Sequence, residues 1–345
     1  MSASDRHQAR RAGKTPRQSR PAARVSAARL VAYDVLRDVE DRDAYANLAL
    51  PARIRDARLD RRDAALATEL ASGTLRGLGR YDRIIELASG RKISQVDART
   101  RNVLRLGVHQ LLSMRTAAHA AVHESVELQR RVANAAAAGF VNGVLRTVSR
   151  ASAAEWDARL VESSANADEA LALISSHPRW VLRALRDALR AEGRESELEA
   201  LLEADNRPPR VSLALIPGSG IDVETAEALG AELGLTVAGA SPLGLELSGG
   251  DPVGAITALD VPDGSARVQD QGSQLAALAL TRARAAQPGE RWLDLCAGPG
   301  GKTAVLGAEA RLVGATVRAN EVSDHRADLV RGAVVASAEA VTVVS

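Results

Sequence analysis

The chain is poor in several residue types, and each shortage closes a class of function. One cysteine, Cys296, in 345 residues excludes a disulfide framework. Aromatic residues make up only 2% of the chain, so its cores must be built mainly of Ala, Leu and Val, and RNA binding by rows of stacked aromatics is disfavoured. The apolar runs are too short to span a bilayer. The N-terminus lacks the apolar stretch of a secretion signal. These absences fit a soluble cytoplasmic protein. No long-period repeat, G-x-S-x-G motif or Ser-His-Asp set is present. Lysine is scarce as well: of 45 basic residues only Lys14, Lys92 and Lys302 are lysine.

What is present describes a multidomain globular chain. Apolar residues reach 46%, enough for sizeable cores, and 345 residues allow two or three domains. The net charge of +2 hides an asymmetric start, where Arg6, Arg10, Arg11, Lys14, Arg17, Arg20 and Arg24 face only Asp5. Residues 1–23 therefore read as a disordered basic arm, either touching RNA phosphates or serving as a solubilising or leader tail.

The most informative stretch is Arg291-Trp292-Leu293-Asp294-Leu295-Cys296-Ala297-Gly298-Pro299-Gly300-Gly301-Lys302-Thr303. A short strand runs into a glycine-rich turn, and Thr303 onward is apolar at helical spacing. Glycines let a backbone approach a ligand closely, and the free N–H groups of a helix start favour an anionic group. A phosphate-binding P-loop needs glycine six residues before its lysine, where this chain has Cys296; a dinucleotide fingerprint needs a third glycine at Thr303. Both spacings fail, which leaves a nicotinamide-dependent oxidoreductase as a distant reading.

The string from Asp294 to Thr303 resembles the cofactor loop of the bacterial 16S rRNA cytosine-C5 methyltransferases of the Sun or Fmu type. The resemblance implies S-adenosylmethionine as cofactor, held by Asp294, Cys296, Ala297, Gly298, Pro299, Gly300, Gly301 and Lys302. The family usually has alanine at Gly298, a departure read as added backbone freedom. A second strand, Ala315 to Glu321, ends in a carboxylate suited to the ribose hydroxyls of the cofactor; the family more often has aspartate there. Asp294 either faces the cofactor's ammonium group or orders the loop.

From Arg24 to about Arg150 apolar residues recur at three and four, as in Val31, Val35, Leu36 and Val39. Gly73, Gly77 and Gly79 punctuate this stretch, and Gly90 ends the helix that begins near Tyr81. The blocks Glu69–Arg76, Leu104–Leu112 and Gly139–Arg146 resemble a NusB-like RNA-binding domain. Arg76, Arg80, Arg83, Arg105, Arg130, Arg131 and Arg146 are its candidate phosphate contacts. His119 and His123 stand at i, i+4, but with no third ligand in sight no metal site is expected; no membrane association is expected either.

The expected fold is an all-α NusB-like domain over 24–150, a helical linker over 151–206 and a small α+β subdomain over 207–262. Residues 263–345 follow as the first half of a Rossmann-like methyltransferase fold, and the resemblance covers nearly all of 24–345. Val211, Leu213 and Leu215 alternate as a half-buried strand should.

Methylation at cytosine C5 needs a thiolate to add to C6. In the family the nucleophile and its helper lie on D-A-P-C and T-C motifs, and neither is present; Cys296 reads as a lining residue. The chain therefore reads as a C-terminally truncated enzyme whose first strand becomes a free sheet edge. It is expected not to methylate RNA and to bind S-adenosylmethionine weakly if at all. The alternative is a non-catalytic NusB-like RNA-binding protein of the antitermination or rRNA-processing type.

Overall fold

A computed structural model describes residues 25–248 and 252–345; the expected arm over 1–23 lies outside the described residues. The chain divides into two compact units, Met1–Pro208 and Pro209–Ser345.

The first unit is helical. It opens with α1 (Ala27–Arg42), α2 (Ala46–Asp56), α3 (Arg61–Arg76) and α4 (Leu78–Ser89), followed by α5 (Ala98–Leu112), α6 (Ala118–Val132) and α7 (Ala138–Val148). Local chemistry sets the ends. Asp60 and Asp97 accept the backbone N–H groups of Asp63 and Thr100 as N-caps of α3 and α5. Gly90, in the left-handed region at φ 66°, closes α4 where the sequence places its end.

The apolar faces meet in one core that includes Leu36, Leu70, Ile84, Ile85, Leu104 and Leu145. This core also takes Trp156 and Leu160 from α8 (Ala153–Glu162), and the Trp156 indole N–H donates to Val148 O at 3.0 Å. The helical core thus runs past residue 150. The next helices, α9 (Ala167–Ile174), α10 (Arg179–Ala191) and α11 (Leu198–Asp205), share a smaller cluster around Leu182, Leu198 and Leu202.

Gly73 is not punctuation. It lies inside α3, where an added Cβ would overlap the imidazole of His109 on α5, so its lack of a side chain lets that ring sit between the helices. The Tyr81 hydroxyl bridges His109 Nδ1 at 2.9 Å and Ser113 Oγ at 2.8 Å.

The second unit begins with β1 (Val211–Leu215), α12 (Val223–Gly230), β2 (Leu235–Val237), β3 (Gly244–Leu247), α13 (Pro252–Ala258) and β4 (Ala266–Val268). These strands form an antiparallel sheet in the order β2-β3-β1-β4, with Leu213 opposite both Leu245 and Val268. The sheet draws its last strand from beyond the 262 boundary read in the sequence. Ala214 is buried along with Leu213 and Leu215, so β1 does not alternate as expected. The reason is a second covered face: Ala214 packs with Ala277 and Leu278 of α14 (Gln271–Arg282).

A parallel sheet follows, built from β5 (Arg291–Asp294), α15 (Gly301–Val313), β6 (Thr316–Asn320), α16 (Asp324–Ala333) and β7 (Val341–Val344) in the order β5-β6-β7. Its register sets Asp294 beside Ala319 and Ala319 beside Val343. Val317 of β6 packs with Ala304, Val305 and Ala308 of α15 in one apolar cluster. Among the described residues β5 pairs only with β6, and Leu293 is 52% exposed. The architecture is a helical domain followed by a mixed α/β region with a Rossmann-like sheet.

Candidate functional site

The glycine-rich turn joins the end of β5 to the start of α15, the place where open α/β sheets bind ligands. Asp294 staples the two elements together. One carboxylate oxygen accepts the Thr303 hydroxyl at 2.8 Å and the other accepts the backbone N–H of Cys296 at 3.2 Å. These two bonds order the loop, one of the two roles open to Asp294.

Between these anchors the backbone folds tightly. Ala297 N–H donates to Asn320 O at 3.0 Å, and Gly300 N–H donates to Ala297 O at 2.7 Å. Gly300 sits at φ 99°, and a Cβ there would overlap Ala333 and approach Val330 Cα to 3.0 Å, so only glycine fits. Gly300 also occupies the N-cap of α15, where no side chain caps the helix, so the N–H groups of the first turn remain available. Lys302 is exposed in that turn, and Cys296 is exposed in the loop.

Glu321 reaches back from the end of β6. It is 5% exposed; one oxygen accepts Gly298 N–H at 3.1 Å and the other accepts Ser323 N–H at 3.1 Å. Arg326 of α16 closes the same corner, donating to Gly298 O at 2.7 Å and lying 3.5 Å from the Glu321 carboxylate. This corrects the reading of Gly298. A Cβ at that position would overlap the Glu321 carboxylate, so the glycine makes room for the longer acid rather than adding freedom.

Sequence reasoning missed two side chains beside the loop. Arg267 of β4 donates to Gly300 O at 3.4 Å and Ala333 O at 3.3 Å, its Nε has no partner, and burial pushes its pKa below the usual guanidinium value. Gln269 is 6% exposed, and neither polar atom of its side chain has a partner. Neither residue stands in a motif that the sequence alone singles out.

The arginines of the helical domain are fewer as candidates than the sequence suggested. Arg80, Arg83 and Arg105 pair with Asp157, Glu86 and Asp82, and Arg130 pairs with Glu127. Arg105, at 8% exposed, is a core residue and cannot grip a phosphate. Arg76, Arg131 and Arg146 have no acidic partner among the described residues. His119 and His123 are both exposed on α6 and line a cleft of about 610 Å³ between α6 and α7. Among the described residues no group of three His, Cys, Asp or Glu is arranged to hold a metal, and no helix is long and apolar enough to cross a membrane.

Comparison with known proteins extends these observations. The sequence profile of the NusB family matches residues 26–150, and that of the 16S rRNA methyltransferase RsmB/F matches residues 282–339. The chain is 45% identical over 318 residues to the putative methyltransferase Rv1407 of Mycobacterium tuberculosis, covering 92% of this chain and 68% of that protein. It is 33% identical over 288 residues to the ribosomal RNA small subunit methyltransferase B of Pseudomonas putida, covering 82% of this chain and 61% of the relative. The crystal structure of PH0851 shares the fold, with a TM-score of 0.66 at 18% identity over 93% of this chain and 70% of its own. With both profiles matched in order along one chain, the protein belongs to the RsmB/F family of 16S rRNA methyltransferases and carries a NusB-family domain over residues 26–150.

Proposed function

We propose that this chain serves S-adenosylmethionine-dependent methylation of cytosine C5 in 16S rRNA, in the cytoplasm, with the cofactor at the loop 294–302 and RNA on the helical domain. The observation that carries this reading is the cradle itself. Gly298 and Gly301 bring backbone without side chains to the turn beside Pro299, Gly300 permits its fold, and an uncapped helix start follows, with Glu321 at the end of the next strand. That combination suits a ligand with a ribose at one end and a charged group at the other.

Each residue then has a stated task. Asp294 orders the loop through Thr303 and Cys296 N–H. Ala297, Gly298, Pro299, Gly300 and Gly301 border the cofactor with backbone, Cys296 lines the rim, and Lys302 supplies a positive charge near its carboxylate. The oxygens of Glu321 each keep further lone pairs for ribose hydroxyls after accepting one N–H apiece. Bound at this loop, S-adenosylmethionine supplies an electrophilic methyl group.

The same chemistry sets a limit on this polypeptide. A thiolate must attack C6 of the cytosine, and the only thiol in the 345 residues is Cys296, whose place is in the cofactor loop. The chain alone is therefore expected to bind the cofactor weakly and to transfer no methyl group. Purified chain is incubated with methyl-labelled S-adenosylmethionine and 16S rRNA; label in the RNA would overturn the expectation. A second reading, a non-catalytic RNA-binding protein, draws on Arg76, Arg131 and Arg146, which have no acidic partner among the described residues; it requires RNA binding with no measurable affinity for the cofactor.

A further inference from the structure

The cleft of about 610 Å³ between α6 and α7 has an apolar floor and a basic rim. Val122 and Ala138, both buried, and the half-buried Val126 line its depth. The exposed His119, His123 and Arg130 follow one another along α6, and the exposed Arg146 lines the cleft from α7. From His119 to Arg130 the helix rises about 17 Å, more than one phosphate can fill.

The charge of the rim is positive. Arg130 is paired with Glu127, but Arg146 has no acidic partner among the described residues, and Asn142 Oδ1 steadies it by accepting its Nε–H at 3.1 Å. The first turn of α6 adds N–H groups that no side chain caps. Gly139 opens the α7 side: it lines the cleft in the first turn of α7, and a Cβ there would meet nothing within 4 Å, so packing within the chain does not call for a glycine.

The flat groups on the rim select among anionic polymers. Unpaired RNA bases stack on histidine rings and arginine planes as they do on Phe, Tyr and Trp, whereas an acidic peptide would use only the charge. In a chain with 2% aromatics these imidazole and guanidinium planes can take the part of an aromatic platform. Duplex RNA keeps its bases inside the stack, so a single strand is required to lay them over the rim and the apolar floor.

We propose that the α6–α7 cleft binds single-stranded RNA, with phosphates at Arg146 and the start of α6 and bases against His119, His123 and Arg130. The inference rests on the placement of RNA on the helical domain above; it adds which surface is used and that the strand is unpaired.

The test follows a fluorescein-labelled RNA oligomer without self-complementarity by anisotropy on the full chain, over a range of salt concentrations. Arg146→Gln should weaken binding about fivefold and reduce the slope of log affinity against log salt by about 0.7, the value for one phosphate contact on a single strand. Gly139→Leu, which adds bulk but no charge in open space, should weaken binding as well. Arg76→Gln, on α3 and outside the cleft, should change neither affinity nor slope. In spectra of ring-labelled histidine the signals of His119 and His123 should shift when the oligomer is added, and that of the buried His109 should not. Unmoved His119 and His123 signals, or equal losses in Arg146→Gln and Arg76→Gln, overturn the cleft as the site while leaving RNA binding by the domain intact. Tighter binding of the oligomer's duplex overturns the single-strand assignment, and a polyglutamate peptide that shifts the same two signals at equal or lower concentration overturns RNA in favour of an acidic protein. Absence of binding by wild type overturns the RNA reading itself.

Discussion

Two arginines, one buried in the helical unit and one half-buried in the α/β unit, differ in how their charge is met. Arg105 of α5 is held by Asp82 through two hydrogen bonds of 2.7 Å, and Asn102 adds a third contact at 2.9 Å. Arg267 of β4 has only two long contacts to carbonyls and an orphan Nε. The planar guanidinium prefers a bidentate carboxylate, and a buried charge without one is costly. Arg105 is thus neutralised inside the helical unit, as a scaffold residue is. The α/β unit leaves donors uncommitted beside its glycine loop, as a ligand site does.

The largest expected effect breaks the scaffold side of this contrast. Asp82→Ala leaves buried Arg105 with only the Glu40 carboxylate at 3.8 Å and should cost the helical unit up to about 3 kcal/mol, read as a lowered transition in scanning calorimetry. Arg267→Met removes an uncompensated charge and keeps the volume, so its cost should stay below about 1 kcal/mol. If Arg267→Met destabilises as much as Asp82→Ala, Arg267 is a structural residue and the contrast disappears.

The next effect lies within the loop. Gly298→Ala forces a methyl group into the space of the Glu321 carboxylate and should cost about 1–2 kcal/mol, the usual penalty for overpacking. Glu321→Asp withdraws the carboxylate by one methylene, so the double variant should recover most of that loss. A strictly additive double variant would show that the two positions are independent.

That pair shows where sequence reading ends. The helices were legible from their apolar period and caps, and Gly90 marked the end of α4 because a left-handed residue is a local requirement. The loop was legible because glycine spacing is local too. The Gly298–Glu321 contact spans 23 residues, and nothing in either residue announces the other. Gly73 looked like punctuation because its reason, the His109 ring, comes from another helix. Four of the seven candidate arginines were lost to acids that became neighbours through folding, and Ala214 was buried by a helix about sixty residues later in the chain. Gln269 is the extreme case, since its meaning is the absence of a partner and absence has no sequence pattern.

The smallest effect tests whether the helical unit is as fully compensated as Arg105 suggests. His109 is 2% exposed, and its Nε2 has no hydrogen bond; the Glu69 carboxylate is 3.4 Å away in poor alignment. Tyr81 and Ser113 occupy the Nδ1 side, and Arg76 adds repulsion to a protonated ring. Burial, the largest influence, holds the imidazole pKa below its ordinary value, although Glu69 pulls the other way. The folded state therefore binds fewer protons than the unfolded chain. Stability should be complete above the unfolded value of about 6.5 and decline as pH falls toward the lower folded value, by at most about 1.4 kcal/mol per pH unit. His109→Gln should flatten that acid limb in urea titrations at pH 7.5 and 5.5. An unchanged limb would mean that Glu69 moves into alignment and pairs with the protonated ring, which would make the helical unit self-sufficient even at its one unsatisfied imidazole.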